Sequence, residues 1–488
     1  MLDKLKQLTR ETAIYGISTM IGRFLSFLLV PFYTNIFYPE DYGIITNLYA
    51  FIALFNIIYL YGMDSAYIRF ATEKEVGEEA DNFSTPYLTI LFTSLVFSLL
   101  LITFRETFGN LLGLPQQMHY LLLITSSILF TDSLSAIPFI RLRLEHKAKK
   151  FAVFKLINIG ITIILNIILI IYLRLGIKAV FISNLAASVL TLILLLPDIR
   201  TTMVFRIRKK ILKRFLKFGI PYLPAGIAGI IIQVIDRPIM EHLTDLKTLG
   251  IYQANYKLGI FMMLFVNMFQ YAWQPFFMQE SKEKNAKEVF SKVFSYFTII
   301  AGFILVILSL FINDIIHFNI GGYTLIGRQY WEGLYIVPVV LLAYIFNGFY
   351  VIFTAGVFIK EKSIYLPVVT GLGALVNIIA NFILIPVIGI MGAALATLLS
   401  YFCMAAGLYI VNQKVYRIKF EFRKVFSVFL LITLSAVIYY YLLFNGYLNF
   451  SLKIVLFLFY SVSVFVFVFE KREVNFLLEK LKKRKDKF

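Results

Sequence analysis

The stretch LLLITSSILFTDSLSAIPFI, Leu121 to Ile140, is apolar on almost every side of a helix and carries a single charge, Asp132. A helix that packs on a soluble core keeps its apolar residues on one face, whereas a helix that is apolar all round lies in lipid or deep inside a protein. The stretch is also long enough to cross a hydrocarbon core of about 30 Å. It therefore indicates an integral membrane protein.

The composition of the whole chain agrees with this stretch. Of 488 residues, 60% are hydrophobic and 15% are charged, whereas soluble domains are about half apolar and a quarter charged. We predict an all-α integral membrane protein with about 14 transmembrane spans. The eleventh and twelfth spans are divided by a tight turn at IPVIGIMG, Ile385 to Gly392. The predicted spans begin near Ala13, Gly43, Tyr87, His119, Phe151, Ile177, Phe215, Leu249, Val293, Trp331, Ser363, Val387, Val425 and Ser451.

The positions of lysine and arginine predict the orientation. Basic loops stay in the cytoplasm, and clusters such as RLRLEHKAKK, Arg141 to Lys150, and RIRKKILKRFLK, Arg206 to Lys217, fall on one side of the predicted spans. We expect both termini to be cytoplasmic. The formal net charge of +19 is then explained by orientation and by attraction to anionic membrane lipid, and no nucleic-acid partner is expected.

Motifs for enzyme chemistry are absent from the sequence. The chain has one cysteine, Cys403, and four scattered histidines, with neither an HExxH zinc motif nor a GxxxxGK[ST] phosphate loop. We therefore expect no metal, no cofactor and no enzymatic activity. A membrane enzyme that joins glycans would need a large outer loop, and the region from Asn313 to Glu332 is the only modest candidate.

A weak internal repeat suggests two similar halves. YPEDYGIITNLYAF, Tyr38 to Phe51, resembles LTDLKTLGIYQANYKL, Leu243 to Leu258, with Gly43 and Gly250 in matching places. Since six spans lie between them, the halves should share one orientation and be related by a pseudo-two-fold axis along the membrane normal. The predicted divisions are a six-helix bundle at 1–197, a cytoplasmic linker at 198–214, a six-helix bundle at 215–411, and two further helices with a basic tail at 412–488.

Charges at membrane depth are the candidate functional residues, because each costs about 2.5 to 3.5 kcal/mol at the centre of a spanning helix. Arg23 in STMIGRFLSFLLVPFY and Asp132 lie near the midplane, and Lys257 lies within the eighth span. A cavity that holds Arg23 and Lys257, one from each half, would attract an anion, and the planar fork of arginine suits a diphosphate. Two alternatives stay open: Arg23 and Asp132 form a structural ion pair, or Lys257 extends its ammonium to the outer interface.

Other charges have more ordinary interpretations. Lys155 lies near the inner end of the fifth span and is expected to extend toward the cytoplasm. Asp236 and Arg237 close the seventh span as an interfacial pair or belong to a site, and Asp64 and Arg69 flank the inner end of the second span, where a solvated location is expected.

Two longer stretches resemble a known family. FGIPYLPAGIAGIIIQVIDRPIM followed by LGIYQANYKLG, and the opening YGISTMIGRFLSFLLVPFYTNIFYPEDYGI, are similar to signatures of polysaccharide exporters in the multidrug/oligosaccharidyl-lipid/polysaccharide (MOP) superfamily. The resemblance covers essentially the whole chain. One departure is that the second span carries no basic residue, where some relatives place charge, which argues against lipid II as the cargo.

The resemblance implies a Wzx-type flippase in the bacterial inner membrane. Such a protein moves an undecaprenyl-diphosphate-linked oligosaccharide to the outer leaflet for surface polysaccharide synthesis, by alternating access. It implies that Arg23 and Lys257 bind the cargo and that Asp132 and Asp236 take a coupling Na⁺ or H⁺. A glycan polymerase and a chain-length regulator are the implied protein partners.

The alternative from the same fold is a cation-coupled drug or metabolite antiporter. Its cargo would be an organic cation, and carboxylates would dominate its cavity. The sign of the charge that lines the cavity therefore separates the two readings.

Overall fold

The computed structural model describes residues 16, 20–71, 78–319 and 321–469, and these are mostly helical, without a β-strand among them. Eleven of the described helices are long and apolar enough to cross a membrane. The other three predicted spans are a shorter apolar helix at Met20–Ile36 and two that are interrupted. The predicted all-α fold of about 14 spans is confirmed.

The helices before the linker, which in the structure is residues 203–208, follow the predicted spans, with short helices added between them. They are α1 Met20–Ile36, α2 Pro39–Leu60, α3 Met63–Phe70, α4 Glu79–Thr103, α5 Arg105–Leu111, α6 Leu121–Leu144, α7 Ala148–Ile167 and α8 Ile177–Thr202.

The helices after the linker include two spans that are split. They are α9 Lys209–Gly219, α10 Leu223–Val234, α11 Asp236–Leu243, α12 Leu246–Tyr256, α13 Ile260–Glu280, α14 Ala286–His317, α15 Val337–Ile359, α16 Tyr365–Ile388, α17 Ile390–Val415, α18 Phe422–Phe444 and α19 Phe450–Phe467.

A proline and a glycine account for two of the interruptions. Pro221 lies in the 3₁₀ turn Ile220–Tyr222 between α9 and α10, and proline cannot supply the backbone N–H that an α-helix needs. A second 3₁₀ turn, Lys257–Gly259, joins α12 to α13. Gly389, with φ +56°, separates α16 from α17, which confirms the predicted turn.

The contacts group the chain into two compact units. The first contains the described residues of Met1–Ile260, Ile326–Leu334 and Pro367–Ser400, and the second contains those of Phe261–Leu325, Tyr335–Leu366 and Tyr401–Phe488. The predicted domain boundaries at 197, 214 and 411 are based on similarity along the sequence, whereas the two units are defined by contacts. The predicted boundaries therefore stay a prediction.

Within the first unit, α2 packs along α12 through two glycines that the sequence repeat had matched. A Cβ atom on Gly43 would lie 1.9 Å from the carbonyl oxygen of Leu246, and one on Gly250 would lie 1.8 Å from that of Pro39. Gly250 follows Gly43 by the same number of positions as Leu246 follows Pro39. Each repeat therefore places its glycine against the carbonyl oxygen at the equivalent position of the other repeat. A two-fold relation between the repeats produces this reciprocal contact. Only glycine lets the two backbones approach this closely.

The segment Ile326–Leu334 contacts the ends of helices in the same unit. The hydroxyl of Tyr330 donates to the carbonyl oxygen of Phe37 at 2.9 Å, and the carbonyl oxygen of Tyr330 accepts from the Asn255 side chain at 2.8 Å. The side chains of Tyr330 and Asn255 are buried. The segment thus ties the end of α1 to α12.

The first unit has a buried apolar core beside the linker. Phe70 of α3, Phe83 of α4, Ile137 of α6, Leu195 of α8 and Phe215 of α9 belong to one cluster. The short helices α3 and α9 therefore pack on the spans instead of extending into solvent.

The second unit is held by aromatic rings and by an ion pair between a buried lysine and a half-buried aspartate. Phe294 of α14 lies with its ring centroid 4.8 Å from that of Phe349 and 4.9 Å from that of Phe420. Lys453 of α19 is buried and donates to Asp314 of α14 at 2.6 Å. This pair fixes the last helix against α14.

Candidate functional site

A polar cavity of about 270 Å³ lies inside the first unit, among helices that are otherwise apolar. Its size is near the lower limit for ligand pockets, so it has room only for a small polar group. Residues of α1, α2, α7 and α8 line it, together with one residue from the turn after α12. The polar lining residues are Ser26, Tyr33, Tyr49, Asn158, Thr162, Asn184 and Lys257.

Lys257 supplies the positive charge of this cavity. It is the first residue of the 3₁₀ turn between α12 and α13, and it lines the cavity together with residues of α1 and α7. The lining residues include neither aspartate nor glutamate. Among the residues that the structure describes, Lys257 has neither a hydrogen-bond partner nor an ion-pair partner, and a half-buried ammonium of this kind attracts an anion.

The neutral polar side chains around Lys257 are oriented by hydrogen bonds. The hydroxyl of Tyr33 donates to Asn166 Oδ1 at 2.8 Å. Asn184 Nδ2 donates to the hydroxyl of Tyr49 at 3.2 Å, and Asn158 Nδ2 donates to Thr191 at 2.9 Å. These bonds hold amide and hydroxyl groups at the wall of the cavity, where they can meet the hydroxyls of a polar ligand.

Arg23 is placed differently from Lys257. It is exposed on α1, one helical turn before Ser26, and it is not among the residues that line the cavity. The structure thus brings Lys257 into a polar cavity and places Arg23 near it along α1, and the joint role of the two residues stays a prediction.

Asp132 of α6 is associated with other groups. Its carboxylate interacts with the Ser188 side chain and with the charge of Lys155. The ammonium of Lys155 lies 4.3 Å from the centroid of the Phe139 ring, a cation–π distance. The charge partner beside Asp132 is therefore on α7.

Asp236 and Arg237 begin α11, next to the turn that ends α10. Asp236 is 3% exposed, and its Oδ2 accepts from the Tyr252 hydroxyl at 2.7 Å. Its other oxygen and the Nε of Arg237 have no hydrogen-bond partner among the described residues. Asp236 thus ties α11 to α12 and keeps one oxygen available.

Asp64 and Arg69 both lie on α3, in its first and last turns. Asp64 is half-buried and Arg69 is exposed. Across the described parts of the chain, no group of three or more His, Cys, Asp or Glu side chains is arranged to hold a metal ion.

Sequence reasoning missed the neutral residues of the cavity. Asn158, Asn184 and Tyr49 lie within apolar spans, and asparagine inside a membrane span is itself a signal of a polar cavity or an interhelical hydrogen bond. A search restricted to charges does not find them.

Comparison with known proteins identifies the family. Residues 34–326 match the profile of a family described as polysaccharide biosynthesis protein. The match covers more than half of the chain, which therefore belongs to this family. A search of curated proteins finds no match.

Three solved structures are similar to this one. A lipid II flippase MurJ in an inward closed conformation is 20% identical with a TM-score of 0.74, covering 93% of this chain and 98% of that one. A multidrug resistance MATE family transporter of the MOP superfamily, in an inward-facing conformation, is 14% identical with a TM-score of 0.66 and coverages of 83% and 97%. The MATE transporter VcmN of Vibrio cholerae, as a D35N mutant, is 10% identical with a TM-score of 0.58 and coverages of 85% and 97%. The protein is a multi-pass membrane protein that shares the fold of these three structures.

Proposed function

We propose that this protein is a flippase that moves an undecaprenyl-diphosphate-linked oligosaccharide from the cytoplasmic to the outer leaflet of a bacterial inner membrane. The observation that carries the proposal is Lys257, a cation without a counter-ion among the described residues, in a cavity lined by amides and hydroxyls. The family is one of polysaccharide biosynthesis, and the fold is shared with a protein described as a lipid II flippase. Together these favour an anionic, glycan-bearing cargo.

In this proposal the ammonium of Lys257 binds the diphosphate, with Arg23 as the second cation. Charge-assisted hydrogen bonds to phosphate oxygens are short and about twice as strong as neutral ones. Asn158 and Asn184 meet sugar hydroxyls, and the polyprenyl tail stays in lipid. A protein cavity spares the cargo the cost of placing charge and hydroxyls in hydrocarbon.

The cavity admits one head group and not a whole oligosaccharide, so transport requires a wider state reached by alternating access of the two halves. Asp132 and Asp236 are the proposed sites for a coupling Na⁺ or H⁺, with Arg237 beside Asp236. The proposal includes cytoplasmic termini and delivery of the glycan to a polymerase and a chain-length regulator outside.

The antiporter alternative is disfavoured by the charge in the cavity. An organic cation would need a carboxylate on the wall, and the lining residues contain none, while Lys257 would repel such a cargo.

The test is export of surface polysaccharide in a strain that lacks its own flippase, at matched membrane expression. Loss of one charge-assisted hydrogen bond, about 1.5–3 kcal/mol, predicts a roughly 10- to 100-fold fall in export for Lys257→Gln. Lys257→Arg should keep most of the activity. Lys178→Gln is the matched control, because Lys178 is on α8 but its ammonium lies near the ring of Tyr120, outside the cavity.

Arg23→Ala is measured in the same series. Normal export by both Lys257→Gln and Arg23→Ala would show the proposed cargo site to be wrong. Loss with Arg23→Ala alone, restored by removing Asp132, would instead identify the Arg23–Asp132 pair as structural.

A further inference from the structure

The linker between α8 and α9 carries exposed apolar side chains beside a row of lysines. Phe205 is 84% exposed and Ile207 is also exposed. Exposed aromatic residues next to basic ones are typical of segments that lie at a membrane interface.

The linker is fixed in place by α4. The backbone N–H of Val204 donates to Ser84 Oγ at 2.8 Å, and that of Arg208 donates to Thr85 Oγ1 at 3.3 Å. Arg206 N–H donates to the carbonyl oxygen of Val204 at 2.7 Å. Phe205 is therefore at the tip of a tight turn.

The two arginines of this turn share one carboxylate of α4. Asp81 of α4 is buried, and it accepts from Arg206 Nη2 at 2.8 Å and from Arg208 Nε at 3.0 Å. Because the two arginines are directed toward Asp81, Phe205 and Ile207 cannot turn back into the protein.

The following helix, α9, presents two different faces. Ile211 and Phe215 are buried in the apolar core of the first unit. Its exposed lysines have no carboxylate within ion-pair distance among the described residues. These are Lys209, Lys210, Lys213 and Lys217.

We propose that residues 204–217, the linker surface, bind anionic phospholipid, with the lysines on the head groups and Phe205 and Ile207 among the upper acyl chains. Apolar spans on either side, α8 and α10, place this surface at the boundary of the bilayer. Four cations attract negative head groups, and the exposed rings and branched side chains select a lipid over a free phosphate ion. The inference goes beyond the flippase proposal and does not depend on the cargo.

The experiment places a fluorescent reporter at the tip of the turn. Phe205→Trp is made in a full-length protein in which Trp273 and Trp331 are changed to phenylalanine, and the protein is reconstituted in vesicles of phosphatidylcholine and phosphatidylglycerol. A trace of lipid with brominated acyl chains is added, either as phosphatidylglycerol or as phosphatidylcholine. Quenching of the tryptophan fluorescence shows that the side chain lies among acyl chains. The quenching by brominated phosphatidylglycerol divided by that by brominated phosphatidylcholine shows the enrichment of the anionic lipid.

We expect strong quenching by both lipids, with a ratio of roughly five in favour of phosphatidylglycerol, the enrichment that one basic residue near the surface supports. Changing all four lysines of the linker surface, Lys209, Lys210, Lys213 and Lys217, to glutamine should bring the ratio close to one. Changing three lysines of another exposed segment, Lys282, Lys284 and Lys287, should leave it unchanged.

Three results would overturn the proposal. Absence of quenching would place Phe205 in water or against a protein. A ratio of one with all lysines present would remove the preference for anionic lipid. Collapse of the ratio when inorganic phosphate replaces chloride at constant ionic strength would show that the lysines bind a free anion. Export measured on the same lysine variants is a separate readout, so a failed flippase proposal leaves this test intact.

Discussion

Gly250→Ala is expected to destabilise the protein, although alanine is the better helix former. The added methyl group would lie 1.8 Å from the carbonyl oxygen of Pro39, where ordinary contact begins at 3.4 Å. The obstructing atom belongs to the backbone and cannot rotate away. The two helices must therefore separate by about 1.5 Å, as in other cases of overpacking.

The magnitude follows from two opposing terms. Overpacking costs about 1–3 kcal/mol, and more when backbone has to move, as it must here. Alanine recovers about 1 kcal/mol relative to glycine in a helix interior. The expected net loss is about 2 kcal/mol, roughly a 30-fold change in the folding equilibrium. Gly43→Ala should behave alike, because it meets the carbonyl oxygen of Leu246 at 1.9 Å.

The assay is denaturant unfolding of the purified full-length protein in mixed micelles, followed by circular dichroism. Gly160→Ala in α7 is the control, because a methyl group there meets nothing within 4 Å, and it should be neutral or stabilising by up to about 1 kcal/mol. The double variant with Gly43→Ala and Gly250→Ala should lose less than the sum of the single losses, since one separation relieves both contacts. Equal stabilisation by Gly250→Ala and Gly160→Ala would refute the reasoning.

Two ion pairs give further predictions. Asp81→Asn removes the charge of a buried carboxylate that accepts from Arg206 and Arg208. We expect the free energy of unfolding in the same assay to fall by about 2–3 kcal/mol. A fall below about 0.5 kcal/mol would show that other contacts hold the linker in place. Lys453→Ala leaves Asp314 without its 2.6 Å partner and should cost about 3 kcal/mol, whereas Lys453→Met together with Asp314→Leu should recover most of that stability. Failure of the double change to recover stability would mean that the charges themselves stabilise the helix pair.

The fold was largely predictable because the bilayer imposes its own length and composition on each span. Leu121 to Ile140 was enough to assign the class, and the weak match around Gly43 and Gly250 identified the glycines that face one another across the repeat. The turns at Pro221 and Lys257 divide two spans in ways that hydropathy does not register, since a 3₁₀ turn of apolar residues is as hydrophobic as the α-helix around it.

The site was less predictable, because depth along a helix says nothing about direction around it. Arg23 and Lys257 have similar predicted depths, yet Lys257 lines the cavity and Arg23 lies exposed on α1. Lys257 also lies in a 3₁₀ turn, Lys257–Gly259, where the helical periodicity that a sequence pattern assumes does not hold. Asn158 and Asn184 were missed because neutral polar residues were not treated as costly, although an amide without partners in hydrocarbon is costly as well.

The two repeats share a backbone contact, but only one of them contributes a charge to the cavity. The reciprocal contact of Gly43 and Gly250 places α12 along α2, and seven residues beyond Gly250 the chain reaches Lys257. Seven residues beyond Gly43 the first repeat has Ala50, which is buried within an unbroken α2. The repeats thus share a backbone contact but only one of them carries the charge. If Lys257 holds a diphosphate, as proposed, this single charge orients the anion toward the second repeat, so a two-fold scaffold presents its cargo in one direction.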